Sequence, residues 1–272
     1  MKKIKITALF LSLLLSLSCE EIGIIEEDLP FVSLYEVDGQ ISPGEKTPTI
    51  NFTKSIPINE SFDIKKVALD NVNAYIWSDT QGIIPLIHIG NGSYQPLKSK
   101  SQKLQIKANA VYELYADING TRVYAKTKVP SPPEVIDVKI IQNYIECEIS
   151  GKEGEVYSCI YIVQDGFQLG NPRIVKREKN FFSVEGDGKA GIVKLRTGDI
   201  PPEYLNTGSD LKVGVEVYAW DKAYKDYFKT KDNNKPIDDI FSQGGGLVNW
   251  NVYGENTIGL FMGYAIKVIM DF

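Results

Sequence analysis

The chain has 272 residues, 43% of them hydrophobic and 24% charged, which is enough to bury a core and too apolar for a disordered chain. Its formal charge of −5, with no Lys/Arg run longer than two residues, excludes nucleic-acid phosphate as a partner. The first element, residues 1–18, is predicted to be a cleavable export signal. Lys2, Lys3 and Lys5 form its positive start, residues 8–17 its short apolar run, and Ser18 the small residue at the cut. Cys19 then becomes the acylated first residue of the mature chain. Each methylene that its acyl groups bury contributes about 0.8 kcal/mol, so several chains on one cysteine anchor stably. No later apolar run approaches the roughly 18 residues of a spanning helix, which leaves the lipid as the membrane attachment. Residues 19–29 follow as an acidic tether that carries Glu20, Glu21, Glu26, Glu27 and Asp28.

From residue 30 onward the pattern is period-two alternation broken by Gly, Pro, Asn and Asp every ten residues or so, and it predicts an all-β fold. Strands are expected at 31–37, 49–53, 67–77, 83–89, 102–106, 111–118 and 122–129. Asn119-Gly120 makes a tight hairpin between the last two, because both central positions of such a turn need positive φ. Strands at this spacing outline an N-terminal immunoglobulin-like β-sandwich over 30–130, without the Cys…Trp…Cys core of antibody domains. Pro130-Ser131-Pro132-Pro133 cannot sit in a ladder and marks a boundary. Residues 134–272 read as a larger antiparallel β domain with strands at 135–141, 144–150, 156–163, 181–184, 192–195, 212–220 and 263–270. Its one short helix is expected at 221–229, with Asp221 able to cap it. Residues 231–239 read as a polar loop.

No catalytic constellation stands out. His88 is the only histidine and lies in a strand-like run, so it has neither a zinc partner set nor a recognisable nucleophile. Nothing selects any two of the carboxylates as a glycosidase pair. The expected inventory therefore has no catalytic residue, no metal ligand and no cofactor. Cys147 and Cys159 lie symmetrically about the turn at Glu153, so a hairpin would set them opposite each other. Two readings stay open there, a disulfide in an oxidising compartment or two buried thiols packing as small hydrophobes. The stretch 247–264 combines Trp250, Tyr253, Phe261 and Tyr264 with glycines that allow close backbone approach. These four are the expected partner contacts, against the reading that they finish the core of the second domain.

Residues 37–43 (VDGQISP) and 50–57 (INFTKSIP) resemble the opening strands of a family of Bacteroidetes lipoproteins. The family carries a domain of unknown function and is often encoded beside TonB-dependent outer-membrane receptors. Residues 71–77 (NVNAYIW), 92–94, 111–116 (VYELYA) and 122–133 resemble the body and proline exit of the same proteins. Residues 241–246, 248–253 and 259–264 (GLFMGY) resemble their closing motif, although 248–252 (VNWNV) is bulkier than the family pattern. The resemblance implies an outer-membrane location on the cell surface or the periplasmic face, a β-rich fold and partnership with a TonB-dependent receptor, and it implies no established enzymatic activity. The expected function is that of a non-catalytic, lipid-anchored binding or accessory protein. The alternative is a carbohydrate-binding or carbohydrate-degrading surface lipoprotein, which exposed coplanar tryptophans or carboxylates paired in a cleft would favour.

Overall fold

Alternation of apolar and polar residues becomes, in the computed structural model, a mostly β protein whose strands turn one face inward. Residues 31–57, 59–97, 105–165, 173–205, 211–232 and 247–270 are described. The export signal, Cys19 and the acidic tether lie outside them, as do residues 102–104, 233–239 and 241–246 of the sequence reading. The first half contains β1 (Tyr35–Ile41), β2 (Ile50–Lys54), the one-turn helix α1 (Ile64–Val67) and β3 (Val72–Ser78). It continues with β4 (Gly82–Gly90), β5 (Ser93–Pro96), β6 (Val111–Ile118) and β7 (Thr121–Lys128). The hairpin at Asn119-Gly120 forms as its composition requires, with φ of 53° and 89°. The predicted strand at 67–77 starts late because Asp63 caps α1, its side chain accepting the Lys65 N–H at 3.0 Å. Residues 105 and 106, the described end of the strand predicted at 102–106, are not in a strand. β5, which alternation missed, is only four residues long. It still places Tyr94 in the core, where the hydroxyl accepts from Val72 N–H and donates to the Leu69 carbonyl, both at 2.9 Å.

The second half contains β8 (Glu134–Ile141), β9 (Tyr144–Gly151), β10 (Glu155–Asp165), β11 (Arg173–Arg177) and β12 (Gly191–Arg196). A 3-10 turn (Pro202–Tyr204), β13 (Leu211–Asp221), helix α2 (Ala223–Thr230), β14 (Val252–Tyr253) and β15 (Thr257–Ile269) complete it. The strand predicted at 181–184 is absent. The chain there makes only an isolated bridge, Glu185 to Tyr157. Asp221 does serve the start of α2, accepting the Ala223 N–H at 3.1 Å, although Lys222 occupies the cap position. Its other oxygen accepts the Lys128 N–H at 2.6 Å, so the same carboxylate ties α2 to the end of β7.

Among the described residues, twelve strands form one sheet in the order β11-β10-β13-β15-β1-β2-β5-β4-β3-β6-β7-β14, and three form a second in the order β12-β9-β8. The large sheet is mixed because β1 runs parallel to β15, Tyr35 opposite Thr257 through Ile41 opposite Gly263. β15 is thirteen residues long and serves two neighbours in turn. Its first half pairs with β1, and Tyr264–Ile269 pairs antiparallel with Trp220–Val215 of β13. The prolines at 130–133 separate β7 from β8, and the cores on either side differ. The first collects Val37, Phe52, Tyr94, Tyr112 and Leu114 together with Val252 and Phe261, which the chain brings back from its C-terminal region. The second lies where the small sheet packs on β10 and β13, and holds Ile145, Ile149, Tyr157, Val163 and Val217. Full burial of each such side chain contributes about 1.5–3 kcal/mol before entropy is charged against it.

Closure of the first core depends on Asn251. Its side-chain nitrogen donates to the Phe261 carbonyl at 2.6 Å and its oxygen accepts the Phe261 N–H at 2.8 Å. The side chain thereby imitates a neighbouring strand at Phe261, a residue still paired with Gly39 of β1. Two residues on, the Gly263 N–H donates to Thr127 Oγ1 of β7 at 2.8 Å.

Candidate functional site

The register of β3, β6, β7 and β14 determines what the outer face of the large sheet presents. Tyr75 lies opposite Tyr115, Tyr115 opposite Tyr124, and Tyr124 opposite Tyr253. Four adjacent strands thus carry one tyrosine each in a single row. Their neighbours in sequence, Ala74, Ile76, Leu114, Ala116, Val123 and Ala125, point the other way into the first core, as period two demands. The rings of Tyr75 and Tyr115 stack at 5.0 Å with planes 17° apart, and Tyr115 and Tyr124 follow at 5.1 Å, tilted by 54°. Tyr253 ends the row and is 61% exposed.

Polar groups beside the row hold it upright. Glu113 receives the Tyr115 hydroxyl proton at 2.7 Å and the Lys126 ammonium at 3.2 Å. The hydrogen bond to Glu113 is the main reason the Tyr115 hydroxyl is pushed up to about 12. The same bond, with Lys126 nearby, lowers the Glu113 carboxyl below its usual range. Trp77, two residues after Tyr75, is opposite Glu113 on one side and Ile83 on the other and adds a single ring beside the row.

The four residues expected to contact a partner are scattered. Tyr253 belongs to the exposed row, and Trp250 is half-buried with its ring 5.4 Å from that of Tyr227. Phe261 is fully buried in the first core and offers a partner no surface. Tyr264 packs on the side of β13 away from the second core, 5.4 Å from Trp220. Glycine's closeness has a local cause as well, since Gly259 and Gly263 lie against the backbones of Val37 and of Lys128–Val129. Trp220 is almost wholly buried, stacked on Tyr224 at 4.1 Å, and its indole N–H donates to Ser158 Oγ at 2.9 Å.

Cys147 and Cys159 are both buried and free. The symmetric hairpin expected of β9 and β10 does not form, because β9 pairs with β8 and β12 while β10 pairs with β11 and β13. The thiols meet across the second core instead. The hydrogen bond to Cys147, reinforced by burial, holds the Cys159 thiol well above its ordinary range. Among the described residues the two buried carboxylates are already partnered. Glu216 takes Arg177 at 2.6 Å and the Tyr218 hydroxyl at 2.7 Å, and Glu155 takes the Tyr157 hydroxyl at 2.6 Å. His88 Nε2 lies 3.1 Å from Asp70 Oδ1 on the surface. Among the described residues no group of three His, Cys, Asp or Glu side chains is placed to hold a metal ion.

No curated protein matches the chain. Among solved structures, one described as "Cytokine receptor complex - Crystal form 2" is 12% identical, over 69% of this chain and 92% of that one. Its TM-score of 0.25 carries no argument about fold or function. A family model described as "Domain of unknown function (DUF4249)" matches residues 21–269. The chain therefore belongs to the DUF4249 family.

Proposed function

We propose that this protein is a non-catalytic accessory component of a TonB-dependent uptake system, lipid-anchored to the outer membrane of a Bacteroidetes cell through Cys19. In this reading residues 30–130 form an immunoglobulin-like sandwich whose outer face engages the receptor. The observation that carries the proposal is the tyrosine row ending at Tyr253. Tyrosine supplies wide amphipathic contact area at low entropic cost, and it is enriched where proteins meet. Sharing a membrane raises the effective concentration of both partners, so an interface of modest size suffices. The carbohydrate alternative is less well served by the same row. Pyranose stacking needs an open ring face, whereas Tyr75 and Tyr115 turn theirs toward each other at 5.0 Å.

Two experiments test the reading. Replacing both Trp250 and Tyr253 with alanine is expected to leave the melting temperature within a few degrees of wild type while a receptor no longer co-purifies. If mild detergent extraction of the native protein brings down no receptor, the accessory role is lost. Cys19→Ala is expected to end acyl labelling and move the protein into the soluble fraction, and unchanged membrane partitioning would refute the anchor.

A further inference from the structure

We propose that the open edge of β8 is a self-association surface, at which two copies of this chain pair β8 with β8 about a two-fold axis through Val138. The proposal goes beyond the accessory role and uses none of the tyrosine row. Among the described residues β8 ends the three-stranded sheet and is bonded on one side only, to β9. Its sequence from Val135 to Ile141 is self-complementary. Antiparallel pairing centred on Val138 sets Asp137 opposite Lys139 of the partner subunit, and Ile136, which the bulge puts out of register, ends the ladder beside Ile140 of the partner subunit. The two-fold repeats both relations.

Neighbouring registers fail on charge. Centring on residue 137 or 139 lays Asp137 or Lys139 directly over its own equivalent, and like charges facing each other across a ladder are destabilising. Asp137 and Lys139 already form an ion pair within the chain and both remain exposed, so each is free to exchange its neighbour for the matching group of a second copy. Ile136 and Ile140 are 55% and 46% exposed.

An open groove borders β8. Val135, Ile136, Asp137, Val138, Lys267 and Ile269 line an open groove of about 470 Å³ between β8 and the end of β15. Val135, Val138 and Ile269 also pack on the second core, so side chains entering the groove extend that core rather than starting a new one. Backbone bonding along an open edge supplies affinity, and alternate side chains supply register. A bulge at Ile136 and the two charges blunt the edge against unrelated strands. Their opposite signs admit this chain's own copy, which is specificity by exclusion.

The test is sedimentation velocity of the full chain in mild detergent across a hundredfold concentration range. Wild type is expected to dimerise with rising concentration. Asp137→Lys and Lys139→Asp are each expected to weaken association at least tenfold with melting temperatures unchanged. An equimolar mixture of the two variants is expected to recover the dimer, because one then presents two positive charges and the other two negative ones. A structural role for either residue does not produce that recovery. Wild type that stays monomeric throughout, variants that dimerise as well as wild type, or a mixture that stays monomeric overturns the proposal.

Discussion

Gly259→Ala is expected to abolish the native fold, the largest effect of any single methyl group in this protein. A Cβ at this position would stand 1.9 Å from the Val37 carbonyl oxygen, 2.7 Å from its nitrogen and 2.8 Å from its carbonyl carbon. Those atoms are backbone, and they cannot retreat, because Val37 is the residue of β1 paired with Gly259 in the parallel ladder. The φ of +137° adds a conformation that an L side chain rarely adopts. Relief requires β1 to leave β15, and β15 is shared between the first core and the β13 ladder. The cost therefore exceeds about 4–5 kcal/mol, a large part of the stability of an ordinary domain. Gly44→Ala is the control. Its φ is +84°, and nothing lies within 4 Å of the added atom, so it should cost only about 1 kcal/mol. Far-UV circular dichroism and thermal melts separate the two. A Gly259→Ala protein melting within a few degrees of wild type would show that β1 and β15 have more room than the structure gives them.

What the sequence made legible was local. β6 has its predicted bounds, and the turn that follows it has its predicted type, because alternation and Asn-Gly chemistry are properties of neighbouring residues. The parallel pairing of β1 with β15 joins the two ends of the folded chain, and nothing in either strand names the other. Cys147 and Cys159 illustrate the same limit. A symmetric turn implies a hairpin, but whether two consecutive strands pair or pass into facing sheets is decided by what else competes for their edges, here β8 and β13. Parity tells which residues share a face and leaves open which face is buried. So Tyr253 and Phe261, chosen together as partner contacts, end on opposite sides of the protein surface, one exposed and one wholly enclosed. Within its own strand, each of Tyr75, Tyr115 and Tyr124 falls on the face opposite its apolar neighbours. The row itself emerges only from strand order, because its members come from four separate strands.

Asn251 is the second position where a small change should have a large effect. The residue is 6% exposed, and its amide satisfies both the N–H and the C=O of Phe261. Asn251→Ala removes both partners at once and leaves two buried backbone groups unpaired, each costing about 1–3 kcal/mol. The expected loss is about 2–5 kcal/mol, seen as a lower urea midpoint with the slope unchanged. Asn251→Asp tests the direction of the bonds. It keeps the shape and the acceptor for the Phe261 N–H, but it sets an oxygen against the Phe261 carbonyl and adds a charge beside the first core. A destabilisation at least as large as that of alanine is expected, although the side chain is nearly isosteric. Were packing alone responsible, aspartate would be far milder than alanine. That ordering, or an alanine variant within about 0.5 kcal/mol of wild type, would mean that the ladder to β1 and the bond from Gly263 to Thr127 close the first core without help.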